Sequence, residues 1–371
     1  MRSRPARPSA PLLGGSAHAR EHESLVSRRA FLAGAAVATA SLTGLDARAD
    51  DAPGANEAPR FLPFAAPGEI VKITREGSLQ PNGLWPTELA ARDMLQRAMR
   101  ELTGKSDLRD AFGQFVRPED RVAIKINGIA GRLGSTMATN RELVVEVARG
   151  VVAAGVPPAN VVIYEQFHSF LAGARVIDRK GALDPAFPAG VRTAYHDNSD
   201  ATTDVIKVCG VPTRFVRPLT DATAVIDVAM IKDHSICGYT GCLKNMTHGS
   251  IINPGAFHDH CASPQIAELY AQTALKSRVV LHVVDAYKVI YEGGPLDRSP
   301  ERRVPIETVF ATTDPVAMDT IGWGLVEKLR RDKGLPSLKS AGREPSYIRI
   351  AAELGLGLHD LDQIHVREVK L

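Results

Sequence analysis

Residues 231–264, IKDHSICGYTGCLKNMTHGSIINPGAFHDHCASP, hold three of the four cysteines of the chain (Cys237, Cys242, Cys261) and four of its eleven histidines (His234, His248, His258, His260). Lys244 sits among them in a glycine-rich setting. Thiolate and imidazole are the side chains that bind borderline and soft transition metals. A solvated surface loop has no need of so many. The stretch therefore predicts a transition metal or a covalently held cofactor, with the cysteines and a histidine as ligands. The plain alternative is a long loop with scattered histidines and buried free thiols. In an oxidising compartment a Cys237–Cys242 or Cys242–Cys261 disulfide is a further alternative. No CxxC pair is present, so neither a zinc ribbon nor a usual iron–sulfur spacing is supported. Nor is there a P-loop or a Ser-His-Asp arrangement.

The elements that must position this stretch are legible on both sides of it. Residues 224–231 (AVIDVAMI) read as a buried strand that delivers the chain directly into Lys232-Asp233-His234. Ser263-Pro264 reads as a helix start, with serine as cap and proline at the first helical position. That start sets His260 and Cys261 beside a helix N-terminus, where a thiolate or a bound anion is favoured. Upstream, residues 122–126 form a short apolar strand, 139–154 a helix stopped by Gly155, and 161–164 a second strand. Strand, helix, strand with short connections is a βαβ unit, whose sheet is parallel. Parallel sheets place their sites at the carboxyl ends of the strands. Lys125 and Asn127 stand there after the first strand, Glu165 and His168 after the second. Lys125 snorkelling from an edge and His168 in a surface loop are the bland readings.

Further elements complete the frame. They are a strand at 70–73, a helix at 87–103 with Thr87 as cap and Gly104 as stop, and a strand at 279–285. After these come a helix capped by Asp314 with Asp319 on its polar face, a helix near 347–354 and a closing strand at 363–369. The fold class expected is α/β: a mostly parallel sheet of βαβ units with helices on both faces, and a long irregular loop, 231–263, at a strand end. This domain would cover 69–371, with a division into two lobes near residue 220 left open.

Composition agrees: 371 residues, 44% hydrophobic and 23% charged, only 5% aromatic. The net charge of +3 is a property of the leader. Residues 1–49 carry seven arginines and three acids; the remainder has 38 basic and 39 acidic residues. With no basic run beyond the leader, nothing points to nucleic acid. Ser27-Arg28-Arg29-Ala30-Phe31-Leu32 matches a twin-arginine export signal. The apolar segment after it is too short and weak for a stable membrane span, and Ala47-Arg48-Ala49 fits a cleavage site. Residues 50–68 read as a linker. The expected partners are thus the twin-arginine translocase and a small anionic substrate or ligand, with the mature chain periplasmic or otherwise exported.

The order VAIKING, AMIKDHSICGYTGCLKN, VVDAYKVIYEGGP and TTDPVAMD resembles the family named domain of unknown function 362. Its members carry a Lys-x-His, Gly-x-x-Gly-x-x-Lys-Asn block, here Lys232-Asp233-His234 and Gly238 to Asn245, and a later Asp-Pro-Val-Ala-x-Asp block. More distantly, His234-x3-Gly238-x2-Gly241-x2-Lys244 is similar to a block of the lactate racemase family. That resemblance implies a nickel pincer nucleotide attached through Lys244 in a setting that includes Gly238 and Gly241. It further implies His260, sixteen residues on, as a nickel ligand, and His234 and His168 as the two acid/base catalysts. The racemases' Asp-x-Thr-Arg-Pro nucleotide block is absent, and VAIKING, with Lys125 and Asn127, stands near its place.

Overall fold

Apolar strands whose side chains alternate between two buried faces need a core on each side, and the computed structural model of the chain supplies both. It describes residues 63–132 and 135–371. The expected leader and all but the end of the expected linker lie outside the described residues. The strands are β1 (Glu69–Thr74), β2 (Val122–Lys125), β3 (Val161–Glu165), β4 (Arg192–Tyr195), β5 (Ile206–Val208), β6 (Val211–Thr213), β7 (Ala224–His234), β8 (Gly238–Thr240), β9 (Val279–Ile290), β10 (Arg303–Thr312) and β11 (His365–Lys370). The helices are α1 (Glu88–Thr103), α2 (Leu108–Phe112), α3 (Arg141–Ala153), α4 (His168–Gly173), α5 (Arg217–Thr220), α6 (Cys242–His248), α7 (Gln265–Tyr270), α8 (Thr273–Lys276), α9 (Pro315–Asp332) and α10 (Tyr347–Glu353).

One nine-stranded sheet runs in the order β11-β1-β10-β9-β7-β2-β3-β4, with β8 hairpinned onto the end of β7. The five strands β9, β7, β2, β3 and β4 are mutually parallel; β10 is antiparallel to both its neighbours. Along β7, Ile226 and Val228 enter the core under α1 to α3, while Val225, Ala229 and Ile231 enter the core under α6, α7, α9 and α10. Every residue of β7 and β9 is buried, as a central strand covered on both faces requires. Helices thus cover both faces, as the α/β reading expects.

The order also fixes where a site belongs. From β2 the chain moves outward through α3 to β3 and β4, then returns to lay β7 on the other flank of β2. The carboxyl ends of β2 and β7 therefore flank a topological switch point, where the connections diverge and leave a crevice. Among the described residues no helix is long and apolar enough to cross a membrane.

Local signals behave as the sequence suggests at several ends. Thr87 accepts the Ala90 N–H at 3.1 Å, and Gly104 closes α1 in the left-handed region at φ 69°. The helix expected from Ser263-Pro264 onward forms as the two short helices α7 and α8. Ser263 does not cap it; its hydroxyl accepts the Tyr347 N–H at 2.9 Å. The stretch 231–263 is more regular than a loop: β7 continues to His234, a hairpin leads into β8, and α6 follows.

Candidate functional site

A cleft opens at the switch point. Lys125, Asn127 and Glu165 come from the ends of β2 and β3, Lys232 and His234 from the end of β7, and Lys244, Asn245 and His248 from α6. His258 closes the rim from the turn after α6. The cleft thus gathers Lys125, Asn127, Glu165, His234 and Lys244, all singled out in the sequence. It adds Lys232, Asn245, His248 and His258, which the sequence names within the motif stretch without an individual role.

Three lysines define its charge. Lys125 and Lys232 are each 1% exposed and Lys244 is 8% exposed. Lys125 is paired with Glu165 at 3.1 Å. Glu165 also accepts the Gly128 N–H at 2.8 Å and the Gln166 N–H at 2.5 Å, so it is held in place as a backbone anchor. Lys232 donates to Asn127 Oδ1 at 2.6 Å, a neutral acceptor. The Lys244 amine has no hydrogen-bond or ion-pair partner among the described residues. Burial, and then the Lys244 charge, push Lys232 down to about 7, and burial lowers Lys244 as well.

The histidines differ in where their protons must sit. His234 Nδ1 accepts the backbone N–H groups of Ile236 and Cys237, both at 3.1 Å, so its proton is on Nε2. His258 Nδ1 faces the Pro254 carbonyl at 3.0 Å, so its proton is there and Nε2 is left as an acceptor. His248 donates from Nε2 to the Phe257 carbonyl at 3.0 Å. Burial, then the nearby Lys244 charge, lowers all three, His234 and His248 well below the usual imidazole range.

His234, Cys237 and His258 bring one potential ligand atom each to within 4.8 Å of one another. His258 has the arrangement of a metal ligand, its far nitrogen fixed by a carbonyl and Nε2 free. His234, with Nδ1 occupied by two N–H donors, has that of a proton donor. Burial pushes the Cys237 thiol up to about 11.

The other sequence candidates stand elsewhere. His260 is exposed and outside the cleft, and Cys261 meets the Gly342 carbonyl at 3.4 Å. Cys242, the first residue of α6, is buried with its ligand atom within 4.8 Å of those of Asp227 and His282, and all four cysteines are unpaired. His168, at the start of α4, packs edge-on against Tyr195 and does not line the cleft. The nearby buried histidine is His196, whose Nε2 meets the Gly249 carbonyl at 3.2 Å. Gly238 and Gly241 serve packing. Gly238 is at φ 75° with its open side against the Arg343 carbonyl, and a Cβ on Gly241 would strike Asp319. Asp319 is fully buried and accepts the N–H groups of Cys242 at 2.6 Å and Leu243 at 3.0 Å, so it caps α6. Its signal lay in the Asp-Pro-Val-Ala-x-Asp block.

Two solved structures are similar in part. A Thermotoga maritima protein aligns with a TM-score of 0.39 and 11% identity, over 74% of this chain and 60% of that one. The lactate racemase apoprotein of Thermoanaerobacterium thermosaccharolyticum aligns with a TM-score of 0.37 and 12% identity, over 66% of this chain and 54% of that one. The chain thus spans between half and two thirds of the length of both. No curated protein matches the sequence. A family model matches residues 122–324, more than half of the chain and all of the strands that build the cleft, so the chain belongs to the family described as a domain of unknown function, DUF362.

Proposed function

We propose that the chain is a cofactor-dependent enzyme that binds a small hydroxy acid by its carboxylate in this cleft and moves protons with His234 and His258. The observation that carries the reading is Lys244, a residue 8% exposed whose amine has no protein partner in the cleft among the described residues. An unpaired buried ammonium weakens a fold, so its retention points to a ligand that supplies the partner. Against Glu165, three lysines leave a surplus of positive charge suited to a carboxylate. The neutral histidines offer one N–H donor and one free acceptor, which is what giving and taking a proton requires.

Lys244 also suits covalent attachment of a cofactor, because burial favours the nucleophilic neutral amine. For a transition metal, we assign His258 and Cys237 as the residues that fit, since His260 does not line the cleft; with a metal on His258 Nε2, His234 alone would exchange protons. A nickel-pincer type of group held there would supply a hydride acceptor for racemising or oxidising a hydroxy acid. This chain's own residues would hold the carboxylate, keep it desolvated, and take and return the proton of the neighbouring hydroxyl. Export by the twin-arginine translocase is part of the same proposal and rests on the leader motif.

The test is metal analysis together with intact mass on protein purified from its native host without chelator, followed by assay with lactate as the probe. A transition metal, a mass excess mapping to Lys244 and racemisation or oxidation of lactate are expected. A bare chain with no metal and no binding of lactate overturns the reading, and metal without turnover reduces it to a metal-binding protein.

A further inference from the structure

A line of buried side chains joins Lys232 to a carboxylate that it does not touch. Lys232 donates to Asn127 Oδ1 at 2.6 Å, and Asn127 Nδ2 donates to Asn245 Oδ1 at 3.0 Å. Asn245 Nδ2 donates to Asp227 Oδ1 at 2.6 Å. The other oxygen, Asp227 Oδ2, is 2.8 Å from His282 Nδ1, and His282 Nε2 is 3.3 Å from the Tyr270 hydroxyl. All of these side chains are buried, Asp227 completely.

The direction of this line is set from its inner end. Asp227 Oδ1 accepts, so Asn245 turns its NH₂ toward Asp227 and its oxygen outward. Asn127 must then turn its NH₂ toward Asn245 and present its own oxygen to the cleft. An amide has no such preference by itself; with a neutral amide at position 227 both asparagines could rotate and offer Lys232 an NH₂ group instead. An oxygen there stabilises the ammonium form, and an NH₂ there favours the free amine.

We propose that Asp227 is a positioning residue for the cleft, which through Asn245 and Asn127 holds Lys232 as a proton-bearing donor. It acts by hydrogen-bond direction across two neutral amides. The charged groups that face Lys232 itself are Lys244, Glu165, Lys125 and Asp297, and none of them is altered in the variants below. The inference depends on the proposed function only in taking Lys232 as part of a ligand cleft.

The test reads the amine directly and needs no substrate. Full-length protein is labelled with acetic anhydride near pH ~6, and the rate at Lys232 is followed by peptide mass spectrometry. Only the neutral amine reacts, so a one-unit fall in pKa raises the rate roughly fivefold at that pH. Asn245→Leu, which changes no charge, and Asp227→Asn should both raise it by about that factor. Adding Asn127→Asp to Asp227→Asn rebuilds the line with its direction reversed, the carboxylate now beside Lys232 and both neutral amides able to donate toward it. The double variant should return Lys232 to the wild-type rate or below. A wild-type rate in folded Asn245→Leu overturns the proposal, as does a double variant that folds but remains fast. If Asp227→Asn does not fold, Asn245→Leu alone decides. Failure to bind or turn over lactate would leave this result untouched.

Discussion

His234 and His258 stack with ring centroids 5.5 Å apart and planes 20° apart, yet their protons are on opposite nitrogens. The backbone decides this. Two N–H groups aim at Nδ1 of one ring, and a carbonyl faces Nδ1 of the other. The cleft thus receives an N–H donor and a lone pair side by side, and lowered basicity keeps both rings neutral near pH ~7. His258→Gln should abolish the acceptor and lower turnover by about 10²–10⁴-fold, the usual share of a positioned acid or base. His234→Gln, which keeps an N–H donor, should be milder. Anion binding should persist in both, because the lysines are intact. His260→Ala should leave turnover and bound metal unchanged; a loss of metal equal to that of His258→Gln would restore His260 as a ligand.

Replacing Lys244 should separate stability from binding. The residue is largely buried and its ammonium has no protein partner among the described residues, so Lys244→Met removes a desolvation cost and keeps most of the side chain's volume. The variant free of ligand should be more stable by about 1–3 kcal/mol in urea unfolding at neutral pH, while losing its affinity for anions. A destabilised variant would mean that the lysine has a structural role in the fold.

Lys232 gives a pH dependence with a definite sign. Its folded value is pushed down to about 7, below that of an unfolded lysine. The unfolded chain therefore binds more protons above pH ~7, and this group's contribution to stability rises with pH from there to about 10. Anion binding runs the other way, because it needs the ammonium. Affinity for oxalate should be flat below pH ~7 and fall by up to about tenfold per unit above it, with a proton taken up on binding. Calorimetry in buffers of different ionisation enthalpy measures that uptake, and Lys232→Met should remove it.

The frame was legible because its signals are local. Apolar runs such as 224–231 and 279–285 mark central strands, and Thr87 and Gly104 bound α1 within its own sequence. Lys125, Asn127 and His234 were found because they end strands. Asn245 and Lys232 were in view, but their meeting with Asn127 depends on the register of β2 against β7, where Lys125 faces Asp227. The choice between His258 and His260 turns on a segment without period. There His260, Cys261 and Ala262 all have positive φ, and no residue type announces that path. Gly238 and Gly241 read as cofactor contacts because glycine also permits close backbone approach, here to Arg343 and Asp319.

Asp319 shows the same limit and yields the last prediction. On its own helix it looks like a polar face residue, and its partners, Cys242 and Leu243, are 77 and 76 positions away. It satisfies two N–H groups at the start of α6, a helix whose seven residues are all buried and which carries Lys244 and Asn245 into the cleft. Without it those donors would be buried and unpaired. Asp319→Ala should therefore cost about 2–4 kcal/mol, the sum of a lost cap and unsatisfied donors. Asp319→Asn keeps one acceptor and should cost less. Gly241→Ala pushes a methyl group against the same carboxylate and against the Tyr239 ring, so it should act in the same direction. If α6 is what positions Lys244, both variants should also weaken oxalate binding under conditions where they remain folded. Full affinity in folded Asp319→Ala would show that the lysine is held by packing of α6 alone.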